Sequence, residues 1–132
     1  MAMLEVKVDG LALDMTTNSP VVILAAKETN KVLPIWIGHA EAWAIAMELS
    51  GVGAKRPMTH DLLANIIENL GATIEKIVIN DLRQHTFFAR IHLSMNGRTI
   101  EIDSRPSDAI ALCAATKAPI FVAEHVFEQT AQ

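Results

Sequence analysis

Short apolar segments with strand-like patterns make up most of the chain. Residues 4–9 (LEVKVD) alternate apolar and charged positions, which is the period of a strand with one buried face. Asn96 and Gly97 form the dipeptide most typical of a two-residue hairpin turn, so a strand is expected on each side of it. The same patterns predict further strands over 20–26, 32–37, 73–80, 86–94, 98–103 and 119–123. Pro34 predicts that the strand over 32–37 lies at a sheet edge or contains a bulge.

Helical spacing of apolar residues marks three other segments. The first predicted helix covers residues 39–50, and Gly51 and Gly53 follow it as stop signals. The second begins at Thr59 as its N-cap and ends at Gly71. The third covers residues 106–117, and the tail after 123 is expected to be a helical turn or coil. The second helix has the clearest apolar periodicity, at Leu62, Leu63, Ile66, Ile67 and Leu70.

The order of the elements suggests an internal repeat. A strand, a hairpin, another strand and then a helix occur twice, and Glu41 matches Asp108 at an offset of 67 residues. Chance similarity between two alanine-rich helices is the alternative explanation. The pattern predicts an α+β fold in which helices pack on a mixed or antiparallel sheet. One domain over residues 1–132 is expected, with pseudo-repeats over 1–53 and 72–123.

Composition narrows the classes of function. Hydrophobic residues make up 51% of the 132 residues, enough for a folded core, while the net charge of −4 excludes a broad basic face for nucleic acid. A nucleic-acid partner would be engaged locally or through a metal ion. The single cysteine, Cys113, excludes an intrachain disulfide, and no apolar run is long enough to cross a membrane. A cytoplasmic location is expected. The high apolar fraction of so small a chain predicts a homodimer.

Residues 103–108 (DSRPSD) form the first polar cluster, at a predicted strand-to-helix junction. Pro106 suits the first helical position, and Asp108 complements the positive end of the helix dipole. Arg105 is unfavourable there unless an anion lies beside it. Asp103 could be that anion in a structural ion pair, and a phosphate group held by the guanidinium is the equally weighted alternative.

Residues 56–61 (RPMTHD) form the second polar cluster, at the start of the second helix. The helix dipole disfavours a protonated His60 at this position, so a neutral imidazole could serve as a base or a metal ligand. A surface histidine without a function is the alternative. Asp61 lies in the first turn, and Arg56 belongs to a locally basic connector that would suit a phosphate.

Several motifs together resemble the bifunctional nuclease (BFN) domain family. They are residues 33–38 (LPIWIG), 56–63 (RPMTHDLL) and 101–112 (EIDSRPSDAIAL), and residues 118–122 (APIFV) fit the closing strand of that family. The resemblance covers nearly the whole chain. It implies cleavage of both DNA and RNA.

Two functions follow from these residues and this resemblance. The first is a metal-assisted nuclease, in which carboxylates hold Mg²⁺ or Mn²⁺. The metal ligands would be Asp61, Asp103, Asp108 and Glu41; the catalytic residues His60, Asp61, Asp103 and Asp108; and the phosphate-binding residues Arg56 and Arg105. The second is a non-catalytic dimeric module that binds an anionic ligand or a protein partner. Under either function, Asp61, Asp103, Arg105 and Asp108 are expected to converge in space.

Overall fold

The computed structural model describes residues 2–51 and 56–130, in seven strands and four helices. Residues 54 and 55 of the basic connector that precedes the second predicted helix lie outside the described residues. Gly53, the second of the two predicted stop signals, lies outside them as well. The elements in chain order are β1 (Met3–Asp14), β2 (Ser19–Ala26), β3 (Val32–Trp36), α1 (His39–Ser50), α2 (Thr59–Asn69), β4 (Thr73–Arg83), β5 (Thr86–Met95), β6 (Arg98–Ser104), α3 (Pro106–Thr116), β7 (Ile120–Ala123) and α4 (Glu124–Thr130).

All seven strands belong to one sheet in the order β3-β2-β1-β7-β4-β5-β6. Neighbouring strands are antiparallel except for β4 and β7, which are parallel. The sheet is therefore mixed, and the predicted α+β class is confirmed. Pro34 lies on the edge strand β3, where a missing backbone N–H costs no sheet hydrogen bond.

The strands β1–β3 and β4–β6 form two meanders that run outward from opposite sides of β7. The helix α1 follows the first meander and α3 follows the second. Glu41 and Asp108 are each the third residue of their helix. This is the strand order that the predicted duplication requires, and we expect the two units to superpose with these two residues equivalent.

Turns and helix ends follow local chemistry with one exception. Asn96 and Gly97 both have positive φ angles, as the predicted hairpin turn needs, and Gly51 ends α1 in the left-handed conformation. The prediction of Thr59 as an N-cap was wrong by one residue, because Met58 is the N-cap and Thr59 is already helical. The carboxylate of Asp61, the third residue of α2, accepts the Met58 N–H at 2.9 Å, which is the reciprocal bond of a capping box.

The core lies between the sheet and the central helix α3, which packs against α1, α2, β4 and β5. Ile110 and Leu112 of α3 are fully buried. The helix α2 lies at the margin of this layer, so its apolar stripe is only partly used within one chain. The exposed members of the α2 stripe are Leu62, Leu63, Ile66 and Leu70.

Among the described helices, none is long and apolar enough to cross a bilayer.

Cys113 is buried in α3, and burial raises the pKa of its thiol to about 12. We expect iodoacetamide at pH 8 to alkylate the folded protein about 10³-fold more slowly than the chain unfolded in guanidinium, because each unit of pKa lowers the thiolate fraction about tenfold. Mass spectrometry over time measures both rates. Equal rates in the two states would contradict burial of this thiol.

Candidate functional site: a cleft between three helix starts

A cleft of about 950 Å³ opens where the starts of α1, α2 and α3 meet strands β5 and β6. Both polar clusters found in the sequence contribute to its wall, although more than forty residues separate them. The chemistry-bearing lining residues are Glu41, His60, Asp103, Arg105 and Asp108. Trp43, Leu63 and Ile102 add large, partly exposed apolar surfaces to the same wall.

Arg105 is the N-cap of α3, and its guanidinium group is held by two carboxylates. Its Nε donates to Asp108 Oδ2 at 2.9 Å, and its Nη2 donates to Asp108 Oδ1 at 3.1 Å. Nη2 also lies 3.2 Å from Glu41 Oε1, which joins the start of α3 to the start of α1. The hydrogen bonds that Arg105 donates to Asp108, and the nearby negative charges of Asp108 and Glu41, raise the pKa of Arg105. The anion expected beside Arg105 is therefore present in the protein, but it is not Asp103.

Glu41 is the more buried partner, with its side chain only 15% exposed. Its Oε1 also accepts a hydrogen bond from the Ser107 hydroxyl at 3.4 Å, so Glu41 contacts both Arg105 and Ser107 at the start of α3. The same carboxylate lies over Gly38, the N-cap of α1. A Cβ at position 38 would come within 2.8 Å of Glu41 Oε2, which is closer than atoms pack. Glycine at this position therefore lets the carboxylate reach Arg105.

Gly38→Ala is expected to move the Glu41 carboxylate away from Arg105 while leaving the Asp108 contacts in place. Glu41 ends in a flexible side chain, so we expect a cost of no more than about 1 kcal/mol in unfolding free energy. A crystal structure of the variant measures the Glu41–Arg105 distance. Gly10→Ala is the matched control, because a Cβ there meets no atom within 4 Å. A carboxylate still within hydrogen-bond distance of Arg105 would contradict this explanation of Gly38.

His60 is only 8% exposed; it lines the cleft and also belongs to a second cluster with Asp61 and Glu48, which are not among the lining residues. Its Nε2 lies 3.3 Å from Asp61 Oδ1 and 3.5 Å from Glu48 Oε1. The interpretation of His60 as a surface histidine was therefore wrong. Glu48, in the last turn of α1, joins the start of α2 to α1 through this contact.

The expected convergence of four residues divides into two neighbouring groups. Arg105 and Asp108 form the ion pair described above, while Asp61 lies with His60 and Glu48. Asp103 is an exposed residue near the end of β6 that adjoins the cleft, but it pairs with Arg90 across the sheet, and strand alternation places its side chain on the opposite face from Ile102. No ion pair within residues 2–51 and 56–130 includes it. Arg56 is exposed in the loop before α2 and is not among the residues that line the cleft.

Two participants were missed from the sequence. Neither Glu48, in α1, nor Ser107, in the first turn of α3, was among the predicted site residues. Ser107 precedes Asp108, the residue that matches Glu41 in the internal repeat. Its contact with Glu41 could have been inferred only by assuming that the starts of the two repeat helices, α1 and α3, touch each other. For Glu48, the available signal is its acidic charge in the last turn of α1, where the helix dipole disfavours an anion.

Comparisons with known proteins show the family of this chain. The family model described as the bifunctional nuclease domain matches residues 22–132, which include both polar clusters and all three helix starts of the cleft. The chain belongs to the bifunctional nuclease domain family. An uncharacterized protein of Mycobacterium tuberculosis (strain H37Rv) is 40% identical over 125 residues, which are 95% of this chain and 74% of that protein.

Several plant relatives are named bifunctional nucleases. Bifunctional nuclease 1 of Oryza sativa subsp. indica is 23% identical over 112 residues, covering 83% of this chain and 34% of that protein. Bifunctional nuclease 1 of Arabidopsis thaliana is 24% identical over 111 residues, with 81% and 34% covered. This bifunctional nuclease domain therefore spans about a third of the length of its plant relatives.

Proposed function

We propose that this bifunctional nuclease domain is a metal-assisted nuclease that cleaves phosphodiesters of DNA, RNA or both. The observation that carries the proposal is that the two motif-bearing helix starts, at Arg105–Asp108 and at His60, open into one cleft. The names of the plant relatives support the reaction class. The size of the cleft and its location at helix N-termini suit a phosphate-bearing ligand.

The charge of the cleft explains why a divalent cation would be needed. Glu41 and Asp108 bring two carboxylates, while Arg105 is the one guanidinium among the described lining residues. An anionic nucleic acid is repelled by that excess unless a cation neutralises it. When bound, Mg²⁺ or Mn²⁺ would supply charge neutralisation and activation of a water molecule.

The carboxylates that face the cleft fit such an ion to different degrees. Asp103 makes no ion pair within the described ranges, so its oxygens are unpaired, but strand alternation directs them to the other face of β6. Asp108 uses both oxygens on Arg105 and can bind an ion only by sharing or exchanging that contact, whereas Glu41 uses Oε1 alone and has Oε2 to offer. Asp61 belongs to the neighbouring His60 cluster.

Arg105 is proposed as the phosphate-binding residue of the cleft. Its side chain is 69% exposed, and its contacts use Nε and Nη2, so the second amino group is available to a phosphate oxygen. Asp108 and Glu41 hold the guanidinium plane at the start of α3. Arg56 would contact the nucleic-acid backbone from the neighbouring loop.

The test is a cleavage assay on single-stranded DNA and RNA with protein freed of metal by chelation. We expect no cleavage in EDTA and cleavage that rises with added Mg²⁺ or Mn²⁺ and follows the protein peak through a final size-exclusion step. Absence of cleavage with every cation and substrate would contradict the proposed function.

A second candidate is a non-catalytic dimeric binding module for an anionic ligand or a protein partner. It is favoured by the apolar part of the same cleft, where Trp43 is 62% exposed, Ile102 is 43% exposed and Leu63 is 42% exposed. Surfaces of this kind are enriched at protein interfaces. The partly used apolar stripe of α2 continues this surface on the helix that carries Leu63.

We predict that the bifunctional nuclease domain is a homodimer in which the exposed side of α2 contacts a second copy. Leu63→Glu is expected to convert the dimer to a monomer, because burying an unpaired carboxylate in an apolar interface is costly. Light scattering measures both masses, and Glu68→Gln on the same helix is the control for a change of charge. A wild-type monomer at micromolar concentration would contradict the prediction.

A further inference from the structure

We propose that Glu48, His60 and Asp61 form a binding site for a divalent transition-metal ion that joins α1 to α2. One ligand atom from each residue lies within 4.8 Å of the other two. The distances from His60 Nε2 are 3.3 Å to Asp61 Oδ1 and 3.5 Å to Glu48 Oε1. Ligands at about 2.1 Å from a tetrahedral ion are about 3.4 Å apart, so both distances from the imidazole already fit.

The buried imidazole nitrogen provides the independent observation that points to a ligand. Nε2 of His60 is shielded from solvent and has no hydrogen-bond partner in the described part of the chain, although two carboxylate oxygens are near it. A buried polar atom without a partner is costly. Its position between two carboxylates is that of a metal-coordinating nitrogen, whose lone pair and the carboxylate oxygens would be satisfied together by one cation.

The position of Glu48 also calls for a cation. Glu48 lies in the last turn of α1, which contains no basic residue, and the helix dipole there disfavours a carboxylate. Asp61 is already oriented for the cluster, because its Oδ2 accepts the Met58 N–H and leaves Oδ1 toward His60. The two carboxylates remain 28–29% exposed, so an ion can enter from solvent.

The ligand set selects the class of ion. One imidazole and two carboxylates suit Zn²⁺ or Mn²⁺, whereas Mg²⁺ and Ca²⁺ prefer oxygen ligands alone. The expected order of affinity is Zn²⁺, then Mn²⁺, then Mg²⁺. Three protein ligands leave at least one coordination position for water.

Metal binding at this site is independent of the proposed nuclease activity. Only the role of the ion in that activity rests on the proposed function. His60 forms part of the cleft wall, so an ion behind it would fix the start of α2 and thereby the wall that faces nucleic acid. The competing explanation is a protonated His60 that forms ion pairs with both carboxylates. The two explanations differ in what removal of one carboxylate does to the protein without metal.

Binding is tested on chelator-treated full-length protein, with no nucleic acid present. Free Mn²⁺ is followed by electron paramagnetic resonance, and Zn²⁺ is added as a competitor. The test variant is Glu48→Gln, because Asp61 also caps α2 and its loss would disturb the helix. The matched control is Glu68→Gln, because Glu68 is an exposed residue of α2 outside the cluster. His60→Gln is a second test variant that removes the imidazole and retains a polar side chain.

We expect the wild type and Glu68→Gln each to bind one more Mn²⁺ per chain than the two test variants do, and Zn²⁺ to displace this additional ion. At this cluster both test variants should bind Mn²⁺ at least about tenfold more weakly. Zn²⁺ should raise the melting temperature of the wild type and not that of Glu48→Gln. Without metal, Glu48→Gln should melt at the wild-type temperature or above, because one repelling carboxylate is gone. Absence of Mn²⁺ and Zn²⁺ binding by the wild type, unchanged binding by Glu48→Gln, or a marked loss of stability in metal-free Glu48→Gln would overturn the site.

The outcomes separate this site from the proposed function. Metal binding that depends on Glu48 but comes with no cleavage of DNA or RNA would uphold the site and contradict the nuclease. Cleavage in Mg²⁺ that survives Glu48→Gln, together with no Mn²⁺ binding at this cluster, would uphold the nuclease and overturn the site.

Discussion

Arg105→Met is expected to lower the rate of phosphodiester cleavage by about 10²-fold or more. Removing one preorganised donor to a charged transition state typically has an effect of this size. Arg105 is the only arginine or lysine among the described residues that line the cleft, so no other guanidinium or ammonium group of that part of the wall replaces its charge. Rates are measured on single-stranded DNA and RNA under single-turnover conditions with Mn²⁺.

Arg98→Met is the matched control for the Arg105 variant. Arg98 is also exposed, at the far end of β6, and lies outside the cleft. We expect it to cleave at close to the wild-type rate. The Arg105–Asp108 pair is exposed and contributes only about 0–1 kcal/mol, but Arg105→Met also leaves the largely buried Glu41 without its guanidinium partner. Circular dichroism therefore first checks that both variants are folded at the assay temperature. An Arg105→Met variant with the wild-type rate would remove Arg105 from the proposed site.

Ile110→Ala is expected to give the largest loss of stability, about 2–5 kcal/mol in unfolding free energy. Ile110 is fully buried in α3, the helix that packs against α1, α2 and the sheet, so the cavity left by the missing atoms cannot be filled from solvent. Urea unfolding followed by circular dichroism measures the change, at one protein concentration because a dimer would make stability depend on concentration.

Leu49→Ala is the control for the Ile110 variant. Leu49 is 53% exposed on α1, so its truncation should cost less than about 1 kcal/mol. If Ile110→Ala were as mild as this control, α3 would not be the centre of the core.

Most of the fold could be predicted because local patterns determine it. The hairpin at Asn96 and Gly97, the edge position of Pro34 and the α+β class all follow from short-range chemistry. The apolar stripe of α2 correctly predicted a helix, but its periodicity could not show that Leu62 and Ile66 would remain exposed in one chain. An apolar helix face is needed for an intrachain core and for an interface alike, and the sequence contains no signal that separates the two.

The site was harder to predict because its contacts join distant helix ends. The sequence showed that Arg105 needs an anion, yet its neighbour Asp103 could not be ruled out in favour of Glu41, which is on another helix. Asp103 belongs to β6, whose geometry directs it away from the guanidinium contacts that Asp108 makes from the first helical turn. The contact of Glu48 with His60 could be recognised only once the end of α1 was known to meet the start of α2.

The central claim is that nucleic acid binds in the cleft between the three helix starts and not on the opposite face of the sheet. That face is a real competitor, because Lys76 lies 5.6 Å from the ring centre of Phe121 and Arg90 lines the same shallow cavity. The most direct measurement is amide chemical-shift mapping with a cleavage-resistant phosphorothioate oligonucleotide and Mg²⁺. We predict shifts at Gly38, His60 and Arg105. Shifts confined to the strand residues around Lys76, Arg90 and Phe121 would contradict the account.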